Sequence, residues 1–445
     1  MQTLDSNFSR NAARVSWFAL ISYAVDYSFQ LVDIFWVAKV GPGAPTALSI
    51  LSSVLFLTLA LNEIVGVGTV ALFSRAFGSG DMNRTGEVIT QALILKGLLG
   101  LGMASVFLIY VSFGLGHYPV DLTTHAYMRE YGMVIWASLV VVPIYSTLMT
   151  ALRCTRREAS TAVISILALV INAALNPMLI FGFGPFPPLG VAGSAYATVF
   201  AQVFALIAAG VWLTKGSIRF PVMPKDTPRL ELSLFTRLIK IGLPIGGVAI
   251  LYNLEQAIIT GIIATFPQAV SDGYGVAARV YGFMFMATFG IASGVSVTVG
   301  QFIGLGRLND IQTSLPRFAA WCTLAMAVPA MSLFFLAPSI VSQFTENPTS
   351  IAVGATYLRF MTIGAMLLCV LSSINGAFEG AGNNIPVLFV ALTSYLCVEA
   401  PILLIIAASS EITPKAIWWA TLSAVLFSVI VSAWLFSRRR WHPNF

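Results

Sequence analysis

Ionisable side chains are scarce inside the long apolar stretches of this 445-residue chain: Asp26, Asp33, Glu63, Lys96, Glu255, Arg279, Arg359, Glu379 and Glu399. In FQLVDIFWVAK, residues 29 to 39, Asp33 stands among apolar neighbours. It follows Asp26 by seven residues, so the two carboxylates share one face of a helix, two turns apart. A carboxylate in a low-dielectric medium holds its proton more tightly than one in water, which moves proton release toward neutral pH. Such a group carries a proton or ligates a cation, and an ionisable residue within a membrane is by default a candidate for function. Partners of the right chemistry occur in the same half of the chain. VINAALNPMLIFG places Asn172 and Asn176 one helical turn apart on one face, and Thr198 in AYATVF adds a hydroxyl. Pro177 can expose a carbonyl by interrupting the hydrogen-bond ladder of its helix. Two amides, a hydroxyl and one carboxylate make a candidate oxygen-rich coupling-ion pocket; amides in such spans also serve simply to join helices.

The second half offers Glu255, in LYNLEQAII, with Arg279 as a candidate counter-charge. A buried acid is best accommodated beside a cation. Structural pairing and second-site coupling are both open for this couple. Lys96 and Arg359 read as structural, through ion pairing or by reaching out to the membrane surface. Asp26 with Tyr27, Phe29, Tyr252, Tyr281, Met284 and Met286 forms a candidate substrate cleft, because adaptable Met and aromatic surfaces suit amphipathic or cationic compounds. Packing against lipid or other helices is the competing role for the same side chains.

The elements that must position these groups are membrane helices. The chain is 58% hydrophobic and 9% charged, with mean hydropathy +0.86, against roughly a quarter charged in a soluble domain. Apolar runs of roughly 20 residues, long enough to cross the hydrocarbon layer, recur throughout. Backbone groups in lipid must be satisfied within their own segment, so the repeated runs mean a helical bundle. Twelve spans are expected, near 14–39, 47–74, 88–114, 127–151, 160–182, 190–214, 236–264, 274–302, 315–337, 350–375, 385–408 and 415–437. The polar first 13 residues show no cleavable-signal pattern, and the first span exceeds a signal h-region in length. Most of the 24 Lys and Arg lie at the two ends or in the even-numbered connections, among them Arg75, Arg84, Arg153, Arg157, Arg307 and Arg438. Positive-inside bias then places both termini in the cytoplasm of a plasma (inner) membrane protein. The net charge of +6 is accounted for by that bias, with no nucleic acid implied. Cys154, Cys322, Cys369 and Cys397 have no CxxC spacing and read as packing residues.

The chain also repeats itself. Gly68, Gly78, Gly80 and Asn83 of GVGTVALFSRAFGSGDMNR pair with Gly294, Gly304, Gly306 and Asn309, all at an offset of 226 (294 minus 68). TALRCTRREAS at 150–160 meets GAFEGAGNNIP at 376–386 at the same offset, in position more than in identity. Six spans per half put both halves in the membrane with the same sense, a parallel repeat about an axis along the membrane normal. The expected architecture is an all-α integral membrane protein: a lobe over 1–214, a cytoplasmic linker over 215–235 and a second lobe over 236–445, related by pseudo-two-fold symmetry. Such paired lobes are a secondary-transporter plan. There is no GxxxxGK[ST] phosphate loop to suggest a primary pump, and no HExxH or histidine cluster to suggest an enzyme.

With these residues the chain resembles the multidrug and toxic compound extrusion (MATE) family, in its DinF-like prokaryotic branch, over essentially its full length. The stretches FQLVDIFWVAKVG, VGVGTVALFSRAFGSGDMNRTGEV, NAALNPMLIFG, GSAYAT, KIGLPIGG and GQFIGLGRLNDI carry the likeness by order and spacing. The resemblance implies two lobes and a monomeric antiporter that exports drugs or organic cations. It also implies Asp33 as coupling carboxylate, with Asn172 and Thr198 at other polar positions of that site, and no cofactor beyond the coupling ion. Two departures stand out. Asn176 occupies a position where many relatives carry a second acid, which favours protons over sodium, with sodium at Asp33 as the alternative. The first span has no proline with which to kink. A lipid-linked oligosaccharide flippase of the same superfamily is the runner-up; its basic cleft has few counterparts among the intramembrane residues here.

Overall fold

The computed structural model describes residues 7–184, 186–214, 230–408 and 413–442. Among them the chain is helical, without a strand. In order, the helices are α1 (Phe8–Val37), α2 (Ala44–Gly78), α3 (Met82–Ile109), α4 (Leu122–Ile135), α5 (Ser138–Cys154), α6 (Glu158–Phe181) and α7 (Val191–Thr214). They continue as α8 (Leu232–Ile263), α9 (Gln268–Gly304), α10 (Leu308–Val341), α11 (Pro348–Ala381), α12 (Ile385–Ser394), α13 (Ala400–Ala408) and α14 (Pro414–Ser437). Ten spans are long and apolar enough to cross a membrane, and the pair α4–α5, bent by 44° at its break, makes an eleventh. The expected span 47–74 falls on α2, 35 residues long, and the apolar spans among the described residues number ten or eleven against the twelve expected. Most of the linker expected at 215–235 falls on 215–229, outside the described residues; α8 begins within its end, at Leu232.

Prolines mark the starts of several helices. Residues Pro45, Pro348, Pro386 and Pro414 occupy first-turn positions, where a missing N–H leaves no bond unmade. The first span, without proline, runs unbroken from Phe8 to Val37.

The internal repeat reappears as backbone geometry. The helix ends at Gly78 and Gly304 are followed by left-handed glycines, Gly80 (φ 79°) and Gly306 (φ 73°). Asp81 N–H donates back to Ala76 O at 3.1 Å, and its repeat partner Arg307 N–H donates to Phe302 O at 2.9 Å. Such bonds close the orphan carbonyls of a helix end, and glycine takes the left-handed turn without a Cβ penalty. The weaker sequence match, 150–160 with 376–386, has the same explanation. Arg157 N–H donates to Leu152 O and Asn383 N–H to Phe378 O, each at 3.0 Å. The left-handed residue is Gly382 (φ 75°) in one copy and Arg156 (φ 62°) in the other. Turn geometry is retained there while identity is lost.

Two compact units emerge. One comprises Ile21–Gly242, and the other comprises Met1–Leu20 with Leu243–Phe445. In the first, α6 packs on α7, while α3 and α7 flank α5. The start of α8 belongs to this unit and lies against α2, where a side chain on Gly68 would overlap the Leu238 carbonyl. In the second unit α11 lies between α9, α10 and α14. The amino end of α1 packs on α9 in the corresponding way: a Cβ on Gly290 would lie 2.6 Å from Leu20 Cα, and Gly294, repeat partner of Gly68, faces Ser16. Each unit thus takes one end of a helix whose other end is counted in its neighbour, through glycines that allow backbones to approach. The cores are separate. Val37, Leu51, Phe107 and Met128 anchor one; Phe302, Leu358, Phe378 and Trp418 anchor the other.

Candidate coupling site

Asp33 lies in the carboxyl-terminal part of α1, 6% exposed, against α6 and α7. Asn176 Nδ2 donates to Asp33 Oδ1 at 2.9 Å and Asn172 Nδ2 to the same oxygen at 3.3 Å. Thr198 Oγ1 donates to Asp33 Oδ2 at 2.8 Å. The amides have two hydrogens each, and the second ones are also placed: Asn172 Nδ2 reaches Thr198 Oγ1 at 3.1 Å, and Asn176 Nδ2 reaches Asn172 O at 3.0 Å. Both asparagines are fully buried. Every polar hydrogen of the three partners therefore has an acceptor, and Asp33 acts only as an acceptor. An ionised carboxylate has no donor and suits such a shell. What the shell lacks is donors toward the amide oxygens: Asn172 Oδ1 and Asn176 Oδ1 are buried without a hydrogen bond.

The helix spacing explains how the chain builds this group. Asn172 and Asn176 are one turn apart on α6, so both amides reach one carboxylate oxygen. Two further neighbours were not foreseen from the sequence. Ser194, one turn before Thr198 on α7, is buried close to the carboxylate without completing a fourth hydrogen bond. The i, i+4 spacing from Thr198 is the signal that could have found it. Tyr131 on α4, 5% exposed, lies within electrostatic reach of Asp33; nothing in its local sequence marks it.

The other candidates are distributed differently. Glu255, half-buried on α8, is within electrostatic reach of a second carboxylate, Glu399. Glu399 is 2% exposed, closes a π-helical turn over Tyr395–Glu399, and accepts from Thr421 Oγ1 at 2.9 Å. Arg279, the expected counter-charge, has an exposed side chain. Glu255 thus gains a like-charged neighbour from a span 144 residues away (399 minus 255). Of the candidate cleft residues, Tyr281 and Met284 are 9% exposed and belong to the apolar core of their unit. Tyr252 is exposed and stacks on Phe285 with centroids 5.3 Å apart. Tyr27, Phe29 and Met286 are half-buried, and Asp26 is exposed on α1. Arg359 is exposed, its guanidinium 5.7 Å over the Phe334 ring. Lys96 proves to be buried, at 2%. Among the described residues no group of three or more His, Cys, Asp or Glu could hold a metal ion.

The MatE family model matches residues 19–178 and 244–405, one copy in each half of the chain. The chain belongs to the MATE family. This MATE chain is similar to a FAD transporter of Shewanella oneidensis, 25% identical over 74% of this chain and 73% of that protein. It is similar also to YoeA of Bacillus subtilis, a probable multidrug resistance protein, 22% identical over 93% of this chain and 90% of the relative. A third relative is the multidrug resistance protein PmpM of Pseudomonas aeruginosa, 23% identical over 86% and 80% of the two chains. Among solved structures, an outward-facing MATE transporter superposes with a TM-score of 0.90 at 18% identity, over 99% of both chains. A Pyrococcus furiosus transporter of the same superfamily, described as having a binding pocket of reversed polarity, matches equally well: TM-score 0.90, 18% identity, 99% of both chains. The family is one of multi-pass membrane transporters, and the all-helical fold described above is its fold.

Proposed function

We propose that this MATE protein is a secondary active exporter of amphipathic organic compounds, driven by protons that Asp33 binds and releases. The single observation that carries the coupling assignment is the shell of Asn172, Asn176 and Thr198 around a buried carboxylate. Multidrug resistance relatives over most of the chain support the export reading. In the ionised state Asp33 accepts from all three partners. Protonation adds an O–H donor and removes an acceptor site, so the shell must rearrange. The two asparagines can turn and present their unpartnered Oδ1 atoms to the new donor, because an amide offers both chemistries. An aspartate at position 176 would lack that choice. The two protonation states of Asp33 thereby favour different packings of α1 against α6 and α7. An ion drives transport only by binding the two conformations unequally, and this rearrangement supplies the inequality. Both termini lie in the cytoplasm in this reading, and no cofactor takes part.

The unpartnered amide oxygens also favour a second reading, in which sodium replaces the proton and takes Asn172 Oδ1, Asn176 Oδ1 and Asp33 as ligands. Its difficulty is charge: one carboxylate and neutral oxygens must replace the whole hydration shell of the ion. The export claim is tested by dye accumulation in everted vesicles carrying the protein. Accumulation should stop when ionophores collapse the proton gradient, whether or not ATP is present. Accumulation that continues without proton and sodium gradients but requires ATP would refute it.

A further inference from the structure

Three arginines, Arg438, Arg439 and Arg440, follow directly on the last residue of α14. That helix is an apolar span over Pro414–Ser437, 24 residues. At about 1.5 Å per residue it exceeds the hydrocarbon thickness, so its end stands at the boundary with the lipid head groups. Trp434, one turn before the end, is 55% exposed and has the Arg438 guanidinium 5.9 Å over its ring. Exposed tryptophan at that depth belongs to the aromatic belt of a membrane protein. All three arginines are exposed. Among the described residues none of their guanidiniums is ion-paired.

The turn that carries them is fixed by its neighbours. Arg440 N–H donates to Leu435 O at 3.1 Å, the same closing bond that ends α2, α9 and α11. Those three turns place Gly80, Gly306 and Gly382 in the left-handed position, whereas this one places Arg439 there, at φ 56°. Glycine takes that conformation without the steric cost a side chain brings. Trp441, next in the chain, is fully buried. Its ring stacks on Phe436 with centroids 5.7 Å apart, and its Nε1 donates to Gln312 Oε1 on α10 at 2.8 Å. Asn383 Nδ2, in the turn between α11 and α12, donates to Arg440 O at 2.8 Å and to His442 O at 3.4 Å. All these residues belong to one compact unit. Charge that serves only to set the sense of insertion needs number and no fixed conformation. Here the backbone is clamped on both sides of Arg439, and an arginine is kept where glycine would fit more easily. A fixed set of exposed guanidiniums is suited to holding a fixed anion.

We propose that Arg438, Arg439 and Arg440 form a docking site for the head group of an anionic phospholipid at the carboxyl end of α14. The forked donors of the guanidiniums match the phosphate oxygens, and the acyl chains run into the hydrocarbon beside the exposed Trp434. Position decides for a lipid over a soluble anion, since basic residues immediately beyond a membrane span face the anionic surface. Trp441 and Asn383 make no contact with the lipid; they are positioning residues that hold the turn. The inference goes beyond the export reading and does not depend on it.

The test offers the full-length protein in neutral detergent an equimolar mixture of phosphatidylglycerol and phosphatidylcholine and counts retained lipid by native mass spectrometry. The wild type is expected to retain phosphatidylglycerol over phosphatidylcholine by at least about tenfold. Arg439→Gly removes the side chain and eases the left-handed turn. It should leave thermal unfolding in lipid-free detergent close to wild type while the preference falls about fivefold. The triple variant Arg438→Gln, Arg439→Gly, Arg440→Gln should retain the two lipids alike. Trp441→Phe changes no charge but loses the bond to Gln312, and should lower the preference about threefold by loosening the turn. A wild-type ratio near one overturns the proposal, as does an unchanged ratio in the folded triple variant. A ratio that falls in the arginine variants but not in Trp441→Phe overturns the fixed site in favour of diffuse charge attraction. Excess inorganic phosphate should leave the lipid in place; displacement by it would make this a site for free anions and overturn the lipid assignment.

Discussion

Replacing Asp33 by asparagine separates coupling from folding, because the shell around it can be followed atom by atom. The two amide bonds to Asp33 Oδ1, from Asn176 at 2.9 Å and Asn172 at 3.3 Å, can be kept by the carbonyl oxygen of the substituted side chain. On the other side, the new NH2 group meets Thr198 Oγ1, whose hydrogen must turn away. A threonine hydroxyl in a helix finds the carbonyl four residues earlier, here Ser194 O. Two charge-assisted bonds become neutral and one is redirected, a loss of about 1 kcal/mol per bond at most. The desolvation of a buried charge disappears at the same time. Asp33→Asn is thus expected to change stability by no more than about 2 kcal/mol in either direction. Asp33→Leu strands the two amide donors, each of which costs about 1–3 kcal/mol when left unsatisfied, and should destabilise by about 2–6 kcal/mol. Thermal unfolding in detergent checks the stability arm. Gradient-driven dye transport in proteoliposomes checks the function arm, where Asp33→Asn should lose at least about a hundredfold because an amide cannot cycle a proton. A stable Asp33→Asn protein that still concentrates dye against its gradient would refute the reasoning.

Other substitutions follow from the same geometry. Asn176→Asp places a second carboxylate beside Asp33 and should make transport respond to sodium, read as faster uptake when sodium replaces choline at fixed pH. Thr198→Val removes the hydroxyl that donates to Asp33 Oδ2, and should lower the coupled rate about tenfold while shifting stability by about 1–2 kcal/mol. Arg156→Gly places glycine where its repeat partner Gly382 already stands, and should preserve the fold. Arg156→Val, a β-branched residue at positive φ, should lower stability by about 1–3 kcal/mol in thermal unfolding.

Much of the coupling site is legible in the sequence because it depends on short-range spacing. Asn172 and Asn176 had to share a face, and a buried aspartate in an apolar span had to find such partners. Ser194 could have been found by the same rule, but serine is common in membrane helices and carries no signal by itself. The placing of Glu399 within electrostatic reach of Glu255 was not legible, since it depends on how separate spans pack and on a local π-helical turn. Spacing along one helix says nothing about either. Lys96 shows the limit of composition: a lysine in an apolar run suggests ion pairing or snorkelling, while its buried place is marked by a hydrogen bond to Ser146 on another helix. The repeat was legible through glycine, and the pairing of Arg156 with Gly382 shows why part of it was faint. What the two copies share there is a left-handed turn and one backbone hydrogen bond, which leaves the residue type nearly free.

The central claim is that protonation of Asp33 drives export, and its most direct measurement is transport in sodium-free proteoliposomes under an imposed pH gradient. The wild type should concentrate dye in the direction set by that gradient, and Asp33→Asn, reconstituted at equal density, should not. Failure of the wild type without sodium, with recovery when a sodium gradient alone is imposed, would contradict the proton assignment.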